Sequence, residues 1–125
     1  MIGINEVIEL HHEIIKISGG GSGVRDEGSL MAAIARPFAT FDQNDLYATA
    51  IEKPAAIFES IVINHPFIDG NKRTSYVLMR LILREGGLDI KVTEEEKYTM
   101  VISASMGEIR FDEIKSWLES NVTPL

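Results

Sequence analysis

Apolar positions recur at helical spacing over most of this chain. Val7, Leu10, Ile14 and Ile17 form one stripe, which predicts a helix from a cap at Asn5 to Ile17, stopped by Gly19, Gly20 and Gly21. A flexible GGGSGV loop follows. Ser29 is placed to cap a short helix over Leu30–Arg36, which Pro37 ends. Pro37–Asp45 reads as a connection with extended character near Phe38–Phe41, and Asp45–Glu52 as helical. Pro54 suits the first residue of a new turn, or a kink, because its ring clashes inside a helix.

Ala55–Ile63 is apolar nearly all round, the pattern of a buried helix. HPFIDG interrupts it. Asn71–Glu85 then reads as a second apolar helix, with Val77, Leu78, Leu81 and Ile82, ended by Gly86 and Gly87. Leu88–Val92 alternates like a short extended link. Thr93 and Glu96 form a capping box for a helix to Ser105. A last helix over Phe111–Ser120 is expected to bury Ile114, Trp117 and Leu118. The pattern predicts an all-α, compact single-domain bundle of about six helices over residues 1–125, with no internal repeat or linker.

Composition narrows this picture. A chain of 125 residues, 45% hydrophobic and 25% charged, fits one folded domain and not a disordered segment. A net charge of −7 argues against a general nucleic-acid binder, which needs a basic face for phosphates. The absence of cysteine removes disulfides, thiolate metal sites and cysteine nucleophiles. The first residues lack the basic start and apolar block of a signal peptide, and no apolar run is long enough to span a bilayer. The expectation is a soluble cytoplasmic protein with no membrane partner.

One stretch, NHPFIDGNKRTSY (Asn64–Tyr76), concentrates chemistry. A helix starting at Asn71 leaves its first amide N–H groups without intrahelical acceptors, and these groups with the helix dipole favour an anion. Gly70 permits close backbone approach. Lys72 and Arg73 put two cations in the first turn, where the dipole disfavours them, so a bound phosphate is the better reason for their presence. Asp69 stands beside this nest as a natural Mg²⁺ ligand. His65, just before the turn, is the side-chain type most often used as a general base near neutrality. Base, metal ligand and phosphate nest together suit attack of a hydroxyl on a nucleotide phosphate. A plain helix-to-helix turn, with Phe67 plugged into the core and His65 capping a carbonyl, would explain DGN alone but not the whole set.

HPFIDGNKR, His65–Arg73, resembles the signature of the Fic/Doc family, His-x-Phe-x-(Asp/Glu)-(Gly/Ala)-Asn-(Gly/Lys)-Arg, at all nine positions. RDEGSLMAAIARP, Arg25–Pro37, is similar to the upstream segment of Doc-type, death-on-curing toxins. The resemblance implies the family's all-α fold and ATP as co-substrate with Mg²⁺. It implies His65 as the base acting on a target-protein hydroxyl, Asp69 as the Mg²⁺ ligand and Phe67 as the loop's anchor. Gly70, Asn71, Lys72 and Arg73 correspond to the phosphate nest, with Asn71 and Arg73 holding phosphate by hydrogen bond and charge. Phe38, Ala39, Thr40 and Phe41 fall where the family has a flap that pairs with the target's backbone.

Fic-type members transfer AMP, whereas Doc-type members transfer the γ-phosphate to a translation elongation factor with the nucleotide reversed. Fic-type members usually carry Gly where this chain has Lys72 and a second Arg where it has Tyr76, and Tyr cannot replace a guanidinium fork. Both departures favour phosphoryl transfer; Gly70 points the other way, since Doc has Ala there. No self-inhibiting (Ser/Thr)-x-x-x-Glu-(Gly/Asn) motif is found, so restraint is expected from an antitoxin chain, seated as a helix in an apolar groove. AMP transfer and a catalytically silent partner-binding module are the alternatives. Elsewhere, His11 and His12 read as packing or surface residues. Arg80 and Arg84 read as a face paired with a neighbouring acid, and Glu94–Glu96 as first-turn capping.

Overall fold

The computed structural model describes residues 2–125. Six helices account for most of them: α1 (Ile4–Ser18), α2 (Glu27–Ala35), α3 (Glu52–Asn64), α4 (Asn71–Glu85), α5 (Glu94–Ser105) and α6 (Phe111–Asn121). Four short strands, β1 (Thr40–Phe41), β2 (Asn44–Asp45), β3 (Leu88–Ile90) and β4 (Val122–Pro124), form two antiparallel pairs. The all-α expectation holds, with helix ends close to those expected. No helix among the described residues is long and apolar enough to cross a membrane.

The apolar α3 is the axis of the fold. Ala55, Ala56, Ile57, Phe58, Ile61 and Val62 are all fully buried, because α3 serves two cores at once. Ile57 and Ile61 pack with Val7, Leu30, Phe67 and Leu78, whereas Ala55, Phe58 and Val62 pack with Met79, Met100, Ile114 and Leu118. α4 also contributes to both, so the loop between α3 and α4 is anchored at each end by buried helices. Glu59 is the charged residue buried on α3, and Arg36 and Arg110 each donate to it, at 2.8 and 2.9 Å. Burial alone would push its carboxyl up, but those two guanidinium hydrogen bonds hold it below the ordinary value.

Several local expectations are corrected or refined. α2 starts at Glu27 with Asp26 as its cap, accepting from Ser29 N–H at 3.0 Å, so Ser29 lies inside the helix. Asp45–Glu52 is not a helix: Asp45 pairs with Thr40 in a hairpin, and α3 starts at Glu52. Tertiary contacts decide this segment, since Tyr47 packs edge-on against Phe111 and accepts a hydrogen bond from Arg36. Pro54 then lies in the first turn of α3, where its missing N–H costs nothing. The buried stripe of α1 runs through Val7, His11 and Ile15, leaving Ile17 exposed. The Leu88–Val92 link gains a partner: β3 pairs with β4, Asp89 opposite Thr123. Trp117 is only half-buried, against the core.

Candidate active site

α3 ends at His65, whose backbone is left-handed (φ 49°, ψ 58°). Such a residue ends the helix by turning the chain, at a penalty of about 1–2 kcal/mol for a side chain with a Cβ. Arg25 offsets that penalty from across the loop. Its Nε donates to the His65 carbonyl at 2.8 Å and its Nη2 to the Asn64 carbonyl at 2.7 Å, placing a cation on the orphan carbonyls of a helix C-terminus.

The glycine loop before α2 continues the clamp. Pro66 C=O accepts from Arg25 N–H and Asp26 N–H, and Ile68 N–H donates to Gly23 C=O. Val24 and Phe67 form an isolated antiparallel bridge. The backbone of residues 65–68 is thus held from outside by residues 23–26.

Phe67 is buried at 1% exposure, a placement worth about 1.5–3 kcal/mol of apolar transfer. The His11 ring lies flat against it, centroids 3.9 Å apart and planes within 5°. Asn71 fixes the same residue from the other end. Its Oδ1 accepts from Phe67 N–H at 2.9 Å and its Nδ2 donates to Phe67 C=O at 3.0 Å, both buried. The Asn71 amide, expected to hold phosphate, here closes the loop onto α4 through its oxygen and one of its N–H groups.

α4 begins after Gly70, which is left-handed (φ 74°) and packed so tightly that a Cβ would lie 2.9 Å from Ile15 Cδ1. His65, Asp69, Gly70, Asn71, Lys72 and Arg73 line one cleft of about 380 Å³ together with Gly19 and Ile68. His65, Asp69, Lys72 and Arg73 have exposed side chains. The Asp69 carboxylate is fixed by Gly21 N–H at 3.2 Å and Gly70 N–H at 2.8 Å. These backbone donors, with the Lys72 charge in a smaller part, hold its carboxyl below the ordinary value. The cleft therefore carries an imidazole, an ionised carboxylate, a helix N-terminus and two cations around one space.

A model of the Fic/DOC family matches residues 2–83 of the 125. The chain belongs to the Fic/DOC family. Among its relatives in that family, Toxin Doc of Mycolicibacterium smegmatis is 42% identical over 72 residues, 58% of this chain and 55% of the relative. Protein adenylyltransferase fic-1 of Caenorhabditis elegans is 33% identical over 73 residues, 55% of this chain and 14% of the relative. Protein kinase doc of Escherichia phage P1 is 29% identical over 113 residues, 90% of this chain and 88% of the relative. The chain spans about half the length of the mycobacterial relative and a small part of the nematode one.

Seven of the nine residues of the Fic/DOC signature thus line one cleft, and the other two, Pro66 and Phe67, are buried. The four residues expected to form a flap do not line it. Thr40 and Phe41 form β1, paired with β2 through a turn in which Asp42 and Gln43 are both left-handed, while Phe38 and Ala39 precede it at a 3-10 turn. Sequence reasoning missed two supports of the site. His11 was legible as a packing residue, spaced four from Val7 and Ile15. Arg25 carries no local signal, because its acceptors lie 39 and 40 residues away.

Proposed function

We propose that the chain transfers the γ-phosphate of ATP to a Ser, Thr or Tyr hydroxyl of a target protein. The observation that carries this is the single cleft that joins His65, Asp69 and the α4 N-terminus with Lys72 and Arg73. The target hydroxyl gives its proton to the His65 imidazole as its oxygen bonds to the γ-phosphorus. The bond from that phosphorus to the β-bridging oxygen breaks, and ADP leaves with the electron pair. The free N–H groups at the start of α4, with Lys72 and Arg73, stabilise the charge on the transferring group.

The donor set fits Mg²⁺ better than a protein-caged metal. Among the described residues no cluster of three or more His, Cys, Asp or Glu could hold an ion. One fixed carboxylate is what Mg²⁺ uses when phosphate oxygens and waters complete its shell. Asp69 is the residue that would hold it, and the ion would neutralise phosphate charge when bound.

Transfer of phosphate over AMP is supported by what stands around Tyr76. Arg80 donates to both carboxylate oxygens of Asp89, at 2.7 and 3.0 Å, and Arg84 to one of them at 2.6 Å. Both guanidinium groups are paired with Asp89, and the position of the second arginine is held by Tyr76. A Tyr phenol carries no positive charge in either protonation state, and burial pushes the Tyr76 phenol up from its ordinary value, which keeps it neutral. The name of the nematode relative, and Gly70, speak for AMP transfer.

ATP labelled separately at the α and γ positions, given with cell lysate, decides between them. Label from the γ position alone is expected; label from the α position alone would establish AMP transfer. His65→Ala should abolish labelling in either case. The name of the mycobacterial relative, Toxin Doc, supports a toxin, and that of the phage relative, Protein kinase doc, supports phosphotransfer. The groove between α4 and α5, lined by Tyr76, Val77, Leu81, Tyr98, Val101 and Ile102, offers an antitoxin helix an apolar seat. Expression of the chain alone should then slow bacterial growth in the cytoplasm where it acts.

A further inference from the structure

We propose that His11, outside the nine-residue signature, is a positioning residue that sets which face of the Asp69–Gly70 peptide looks into the cleft. Its Nε2 lies 2.7 Å from the Asp69 carbonyl oxygen, and the ring is 2% exposed. A carbonyl only accepts, so Nε2 carries the hydrogen. The peptide is trans, and in a trans peptide C=O and N–H point opposite ways. Tying the carbonyl to α1 therefore turns the Gly70 N–H away from α1, towards Asp69 Oδ1 at 2.8 Å.

This lock has a physical need. Gly70 must be glycine-like to sit at φ 74° under Ile15, but a residue without a Cβ also lets the preceding peptide rotate. The rotated peptide would aim a carbonyl oxygen at the anion site and release the Asp69 carboxylate from the Gly70 N–H. The bond from His11 removes that freedom, and the flat stack on Phe67 holds the imidazole at the angle the bond requires. His11 touches no reacting atom in this account; it acts through the peptide.

The inference rests on the phosphotransfer reading for its functional consequence, but not for its structural one, and the two are read separately. His11→Phe keeps the ring stack and removes the donor. It is expected to unfold cooperatively, to bind Mg²⁺–ATP about tenfold more weakly, the size of one lost hydrogen bond, and to shift the Gly70 amide resonance. Mg²⁺–ATP affinity within twofold of wild type, with that resonance unmoved, would overturn it. Wild-type protein that fails to bind Mg²⁺–ATP would sink the phosphotransfer reading, and the Gly70 shift would still decide the role of His11. If the Phe variant does not fold, the wild-type protein decides alone. A His11 Nε2–H protected from exchange and coupled to the Asp69 carbonyl carbon supports the lock, and its absence refutes it.

Discussion

The Arg25 guanidinium grips the carbonyl of His65 at 2.8 Å, so the backbone of the residue proposed as base is held by a residue 40 positions earlier in the chain. Removing the grip should act on geometry before stability. Arg25→Ala is expected to lower transfer about tenfold or more, while costing about 1–2 kcal/mol for its partly exposed hydrogen bonds. Arg25→Lys, with a point charge in place of a fork, should recover only part of the rate. Transfer rates and denaturant midpoints measured on the same preparations check this. An equal fall in stability with unchanged rate would count against the aiming role.

Asn71 gives a prediction of the opposite kind. Its side chain satisfies both backbone groups of the buried Phe67. Asn71→Ala leaves that N–H and C=O without partners and should destabilise the fold by about 2–4 kcal/mol. Asn71→Asp should also destabilise, since a carboxylate cannot donate to the Phe67 carbonyl. Thermal denaturation without nucleotide is the measurement. A variant as stable as wild type, defective only in nucleotide binding, would return Asn71 to the phosphate-holding role.

Gly20 tests the fixing of Asp69. A Cβ on Gly20 would lie 2.7 Å from Asp69 Oδ2, and its φ of 115° already disfavours a side chain. Gly20→Ala should push the carboxylate off the Gly21 N–H and strain the loop by about 1–2 kcal/mol. Binding of ATP should then lose most of its dependence on Mg²⁺, as read by titration with and without the ion. Unchanged Mg²⁺ dependence would remove the Gly21 contact as a determinant.

Glu59 predicts the acid limb of stability. Its folded-state carboxyl lies below the ordinary value, so the folded state favours the charged form. The stabilisation is fully present above the unfolded value, near 4.3, and is lost as pH falls through the folded value. Glu59→Gln should cost about 2 kcal/mol at pH 7. That is less than the ~3–5 kcal/mol for a fully buried pair, because Arg110 can turn to solvent. The variant should also show a shallower loss between pH 5 and pH 3. Chemical denaturation across that range checks both, and parallel wild-type and variant curves would refute the linkage.

Sequence alone was enough for the six helices and for the nine-residue motif, for one reason. Helical periodicity, capping boxes and a helix-to-helix turn are relations between residues a few positions apart. Val77, Leu78, Leu81 and Ile82 predict α4 without knowledge of what covers them, and HPFIDGNKR contains its own imidazole, carboxylate and cations. The single structure decided what is held by distant partners. Asp45–Leu46 is not helical because Asp45 pairs with Thr40 in a hairpin, and Tyr47 is held by Arg36 and Phe111. Leu88–Ile90 becomes a strand only because Val122–Pro124 returns beside it. His11 reads as a packing residue until the fold brings Asp69, 58 residues on, within hydrogen-bond distance. The sequence names the groups proposed to react, and tertiary packing sets the carbonyl and amide directions around them, because peptide orientation depends on partners that no local spacing encodes.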